Sequence, residues 1–139
     1  MTILVPGQLL LVEPVVPQPA RCTDAFGLEG YVWGGETVST ESLARLLANR
    51  APRRPGSVVE GWNAVDPDAV YASRYTIRRR VVDVDARLLR KVTADEVAMA
   101  GFPEPWPLDA LDRYFEEQYP DMHMHGDAWV WLYHLTEDK

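Results

Sequence analysis

At 139 residues, with 47% hydrophobic and 25% charged side chains, the chain has the bulk of a single globular domain spanning residues 1–139, which excludes wholesale disorder and leaves little room for two cores. Its net charge of −7 argues against broad adhesion to nucleic acid, because counterion release requires clustered Lys and Arg. No apolar run reaches the ~20 residues that span a bilayer, and Cys22 is the sole cysteine, which excludes an internal disulfide and fits a reducing, cytoplasmic setting.

The opening MTILVPGQLLLVEP has no basic lead, so neither secretion nor membrane insertion is expected. Within it, Gln8–Val12 reads as a buried strand between the Pro6-Gly7 turn and Pro14. From Pro14 to Gly30, prolines and glycines break the pattern and suggest a surface connection. Tyr31-Val32-Trp33 reads as a short strand closed by a Gly34-Gly35 turn. Leu43, Leu46 and Leu47 recur at helical spacing in ESLARLLANR, which Ser39 or Thr40 can cap and APRRPG must end.

Ser57–Trp62 reads as a brief strand, followed by a long one at Ser73–Asp85. In the long strand Tyr75 and Ile77 share one parity and Val82 and Val84 the other, so one extra residue near Arg80 predicts a β-bulge, a device that curls sheets. Thr93-Ala94-Asp95-Glu96 is a capping box for a short helix ending at Gly101. A stiff link through Pro103, Pro105 and Pro107 around Trp106 leads to a third helix over Leu108–Gln118. In the last strand Trp129, Trp131 and Tyr133 alternate with Val130, Leu132 and His134, which predicts a central strand covered on both faces. The fold class expected is α+β: a small, curled, five- or six-stranded β-barrel with about three helices.

Three pieces of the chain carry a family resemblance: PGQLLLVEP, the run YASRYTIRRRVVDVDARLLRKVTADEVAMAGF, and LDALDRYF followed by GDAWVWLYHL. Together they resemble the short, phage-type ASCH-domain proteins of the PUA-like superfamily, over about two thirds of the chain. The likeness is thinnest over residues 15–69, a variable region within the domain. The resemblance implies the barrel, and it implies noncatalytic binding of RNA or a modified nucleotide at the barrel mouth. Active relatives carry a Lys-x-x-Thr-x-Arg type segment near the start, whereas this chain has only Lys91 and Lys139, so no catalytic residue is assigned. Glu13-Pro14 stands where related phage sequences show an Arg-Glu pair, and Arg79 takes a usually apolar strand position.

The ligand-binding set expected is Tyr71, Ser73, Arg74, Trp62, Arg78 and Arg80. Ser73-Arg74 matches the family motif, and arginine can fork onto a phosphate or base edge while Tyr71 or Trp62 offers a stacking face. The competing structural reading has Arg74 fixing its own strand and the arginine triplet pairing with the acidic helix. Residues 1–91 carry 12 basic and 10 acidic side chains, and residues 92–139 carry 2 and 11. Any nucleic-acid footprint therefore belongs to the first part. The second, with Asp109, Asp112, Glu116 and Glu117, suggests an alternative in which an acidic phage-type inhibitor docks on a basic host protein.

The remaining chemistry is weaker. Asp121, His123, His125 and Asp127 alternate, but spacing alone favours an exposed turn over a metal site, and neither metal nor cofactor is expected. They are the only substitutes for a diverged nucleoside amidohydrolase or ribonuclease site. Asp83 and Asp85, beside three arginines, read as ion-pair partners. Trp129 and Trp131 are expected in the core; for Trp33, Trp62 and Trp106 core packing is the default reading and a pocket border the alternative.

Overall fold

A computed structural model describes residues 3–4, 7–23, 25–63, 76–102, 107–122 and 126–137. Their strands are β1 (Ile3–Leu4), β2 (Leu10–Pro14), β3 (Ala20–Thr23), β4 (Glu29–Trp33), β5 (Glu36–Ser39), β6 (Val58–Asn63), β7 (Thr76–Leu88) and β8 (Trp129–Glu137). The helices are α1 (Thr40–Asn49), α2 (Ala94–Met99) and α3 (Pro107–Gln118). The α+β class and the three helices match expectation. The strands form two open sheets, of order β1-β6-β7-β8-β2 and β3-β4-β5; closure into one barrel is not seen among the described residues.

The two-sided apolar pattern of β8 explains its place between β7 and β2. Trp129, Trp131, Tyr133 and Leu135 pack with Leu11, Leu43, Leu47, Val59 and Val81, which sets α1 against one face of the larger sheet. Val130 and Leu132 pack on the other face with Leu10, Val12, Val97, Leu111 and Phe115, which docks α2 and α3. Burying both faces removes apolar area at about 25 cal/mol per Å2. This two-sided core positions everything else.

The bulge is present, slightly later than expected. Pairing passes from Val81↔Leu135 to Asp83↔His134, which leaves Val82 as the extra residue. Val82 is exposed, while Val81 before it and Val84 after it both join the same core cluster. One inserted residue thus returns the strand's apolar side to the core.

Three expectations are corrected. The stretch from Pro14 to Gly30 is more than a connection, because it contains β3, which forms a hairpin with β4. Polar, mostly exposed ARCT carries no alternation to announce a strand, and its register comes from its neighbour. Likewise β5 follows the Gly34-Gly35 turn, whose φ values of 59° and 80° suit a two-residue hairpin loop with left-handed geometry at both central positions. The opening strand starts at Leu10 instead of Gln8: the buried Gln8 side chain donates to Leu10 O at 2.8 Å, and Leu9 N–H donates to Met99 O.

The helix caps follow the sequence closely. Ser39, rather than Thr40, caps α1, its Oγ accepting from Ser42 N at 3.3 Å. At α2, Thr93 Oγ1 accepts from Glu96 N at 3.2 Å and Glu96 Oε1 accepts from Thr93 N at 3.0 Å, completing the capping box. Arg87 also donates to Glu96, tying α2 to β7. Burial pushes the Glu96 carboxyl up, but the bonds from Arg87 and Thr93 outweigh it and hold the group below its usual 4.5. A carboxyl with a depressed folded-state pKa stabilises fully above its unfolded value and loses that contribution as pH falls through the folded one. Thr93→Ala is therefore expected to cost about 1 kcal/mol at neutral pH and less in acid, read from urea midpoints at several pH values. An equal cost at all pH values would contradict the coupling.

Among the described residues, no helix is long and apolar enough to cross a membrane.

Candidate functional site

The residues expected to bind ligand are only partly described. Tyr71, Ser73 and Arg74 lie outside the described residues, as do Trp106, His123 and His125. The backbone of Trp62 pairs with Ile3 and Thr76 in β6. Arg78 and Arg80 stand opposite Glu60 and Val58, two residues apart on β7 and exposed. Arg80 Nη1 donates to Gly56 O at 2.8 Å, which anchors that side chain along the 50–57 loop. Arg79 has the parity of Ile77 and Val81, which is the core side; its guanidinium reaches the carbonyls of Gln8 and Arg78. That accounts for a charged residue at an apolar position.

Among the described residues, Arg53 pairs with Glu13, Arg87 with Asp85 and Glu96, and Arg90 with Asp127, acids that lie outside α3. Asp85 is the ion-pair residue expected, and Asp83 accepts from Val84 N. Asp127 lies 3.6 Å from Arg21 and 3.7 Å from Arg90. On α3 the exposed Asp112 has its carboxyl raised by partial burial and by the charges of Asp109 and Glu116. Among the described residues, no group of three or more His, Cys, Asp or Glu is placed to hold a metal.

The most developed site is a cleft of about 370 Å3 at the end of β2, where Glu13, Pro14, Trp33, Arg50, Tyr119 and Trp131 meet. It begins with a local conflict. Along β2, Leu11, Glu13 and Val15 share one parity, and Glu13 sits opposite Trp131 in register. A carboxylate on the core side of a strand needs a partner. The turn that ends α1 delivers one: Arg53 Nε donates to Glu13 Oε1 at 2.7 Å and Nη2 to Oε2 at 3.2 Å. This fork fixes both side chains, which remain 27% and 23% exposed. Arg53 also lies 5.9 Å from the Tyr133 ring centroid.

Both cleft tryptophans have their N–H groups engaged by the main chain. Trp33 Nε1 donates to Pro17 O at 2.7 Å, and Trp131 Nε1 donates to Leu47 O at 2.9 Å. What Trp33 offers a ligand is ring surface, whereas Trp131 is buried and lines the cleft from the core side. Tyr119 is set by the end of α3, its N–H donating to Phe115 O at 2.8 Å. Arg50 stands near the mouth on Glu36, at 3.0 Å.

Electrostatics ties the tyrosines to the same carboxylate. Burial, then the charge of Glu13, raises the Tyr119 phenol, with Arg53 opposing. Tyr114 is raised by burial, by Tyr119 and by Glu13. The Tyr133 phenol is pushed far above its ordinary range by burial and then by Glu13, with the charge of Arg53 and a hydrogen bond to its backbone opposing. All three phenols therefore stay protonated, as neutral rings.

Two other clefts are less equipped for a flat ligand. One of about 480 Å3 between β3 and the end of β7 has Arg21, Cys22, Thr23, Tyr31 and Arg90 in its wall, with a single ring. Another of about 220 Å3 lies between β2 and α3, beside Gln8, Phe102 and Tyr114.

Sequence reading took core packing as the default for Trp33, with a pocket border as its alternative, and placed Trp131 in the core; both line the cleft. It overlooked Glu13, Arg50 and Tyr119 as parts of one site. A signal existed for Glu13, the one charge in the apolar run Leu9–Val16.

Compared with protein-family models, curated proteins and solved structures, the chain matches none.

Proposed function

We propose that the chain is a noncatalytic recognition module of the ASCH/PUA-like kind, working in the cytoplasm, that binds RNA or a modified nucleotide by holding one base in the β2 cleft. The observation that carries this reading is two indole rings with their N–H groups tied to the main chain, beside a carboxylate fixed by a guanidinium fork. The partly exposed Trp33 ring supplies a stacking face, the buried Trp131 closes the wall behind it, and the fork supplies an oriented polar edge. A volume of about 370 Å3 accommodates a nucleoside. Arg50 at the mouth is placed for a phosphate, and the exposed Arg78 and Arg80 of β7 offer further contacts to a longer strand. The bulge at Val82 supports a sheet that curls in the manner of a barrel. A carboxylate already engaged at both oxygens is better suited to positioning than to proton transfer.

Trp33→Ala is expected to weaken nucleotide or short RNA binding about tenfold, since base–aromatic stacking contributes roughly 1–3 kcal/mol. Isothermal titration against the four ribonucleotides and short RNAs measures it. No binding by the parent chain, or equal binding by the variant, would overturn the reading.

A further inference from the structure

We infer that the ligand held by this cleft ends in a phosphomonoester, which takes Arg50 from Glu36; the inference rests on the nucleotide reading and names the class of nucleotide. Among the described residues that line the cleft, Arg50 is the only cation. Its backbone N–H donates to Leu46 O and Leu47 O, and Leu47 O also accepts from Trp131 Nε1, so one carbonyl sets both the arginine and the inner wall. A Cβ on Gly34, where φ is 59°, would lie 3.2 Å from Arg50 Nη1. The guanidinium therefore lies across the bare turn that follows Trp33. Of the two charged side chains in the wall, Glu13 is the less exposed, 23% against 44% for Arg50. The carboxylate thus lies inward and the guanidinium outward, which orients a nucleotide with its base in and its phosphate at the mouth.

The two arginines beside the cleft are held differently. Arg53 forks onto Glu13 through two nitrogens, Nε and Nη2, and both side chains are mostly covered. Arg50 reaches Glu36 through one nitrogen, since Nη2 lies 3.0 Å from each carboxylate oxygen, and the pair is 44% and 48% exposed. Among the described residues, Arg50 Nε and Nη1 donate no hydrogen bond. An exposed pair of this kind contributes little to stability and is screened by salt. What replaces Glu36 is decided by charge. A phosphodiester carries one negative charge, as Glu36 does, so the exchange gains little Coulomb attraction. A phosphomonoester carries about −1.5 to −2 at pH 7, and a guanidinium can fork onto two of its oxygens. The gain on exchange therefore falls to terminal phosphates. The carbonyl end of α1 would repel an anion, but Arg54 donates to Asn49 O and places a second guanidinium there.

Ligand-side changes test this with the unaltered chain. Isothermal titration takes the nucleoside, the 5′-monophosphate, the 3′-monophosphate and the 5′-methylphosphate diester of each of the four bases, together with inorganic phosphate. For the base bound best, one of the two monophosphates should bind about tenfold or more tightly than both the nucleoside and the diester. A short RNA with and without a phosphate at that end separates the sources: a ratio kept on the strand assigns an RNA terminus, and a ratio lost on it assigns the free nucleotide. The monophosphate-to-nucleoside ratio should fall towards one in Arg50→Ala and rise several-fold in Glu36→Gln, where the competing carboxylate is gone. Should Arg50→Ala fail to fold, the ligand series on the parent decides by itself. A ratio that falls in Glu36→Gln means that Glu36 positions Arg50, and overturns the exchange. Equal binding of monophosphate and diester overturns the terminal assignment. Equal binding of nucleoside and monophosphate overturns the phosphate contact and leaves base recognition standing. Inorganic phosphate bound as tightly as any nucleotide, or no binding by any nucleoside or nucleotide, overturns base recognition and this inference with it.

Discussion

Trp131→Ala is expected to destabilise the fold by about 3–5 kcal/mol and, in whatever fraction folds, to remove base binding. The side chain is 5% exposed and belongs to the core cluster that joins β8 to α1. Its Nε1 bond to Leu47 O fastens the central strand to the end of the helix. Leu47 O also accepts from Arg50 N at 3.2 Å, so losing the indole does not orphan that carbonyl. The cost comes from the cavity, whose lining cannot fully collapse between two rigid elements. It is increased by Glu13, which faces Trp131 across the β2–β8 register and would border the void. Trp131→Phe, which keeps most of the ring volume, should cost about 1–2 kcal/mol. Urea unfolding followed by circular dichroism resolves both. A loss below about 1 kcal/mol for the alanine variant would mean that the ring is not packed as described.

Sequence reading succeeded where one segment carries its own signal. The Thr93–Glu96 capping box is complete within four residues, and its hydrogen bonds appear as expected. The alternation in β8 states on its own that both faces are covered, and the slipped parity of β7 states that a residue is inserted. Reading failed where structure is imposed from outside the segment. ARCT and ETVS become strands through pairing on either side of β4, with little apolar pattern of their own. The cleft is harder still, since its residues come from β2, β4, the end of α1, the residue after α3, and β8. Spacing rules reach along a helix or strand; they do not say which distant turn brings Arg53 to Glu13. A carboxylate on the core parity of a strand is nonetheless a legible demand for a cation. Basic residues in the helix-ending APRRPG were available to meet it.

Phe115→Ala should lower the melting temperature by about 10 °C, through a loss of about 3–4 kcal/mol. Phe115 is fully buried, and its cluster contains Leu10, Val12, Leu111, Val130 and Leu132, so it is the pin that holds α3 to the larger sheet. Its ring lies 5.8 Å from Tyr114 and 6.0 Å from Tyr119, tilted against both, which makes the aromatic row of α3 one mechanical unit. The consequence for the cleft is indirect. Tyr119 is placed by Phe115 twice, through ring contact and through its N–H bond to Phe115 O. The backbone bond survives substitution, whereas the ring contact does not. Phe115→Leu therefore separates the two roles: it should cost about 1–2 kcal/mol while weakening nucleotide binding several-fold, because Tyr119 loses its lateral support. Differential scanning calorimetry and titration on the same preparations give both numbers. If the leucine variant binds nucleotide as the parent does, Tyr119 is positioned by the chain alone. The cleft then owes its shape to β2, β4 and the turn after α1, with α3 acting only as cover for the second core.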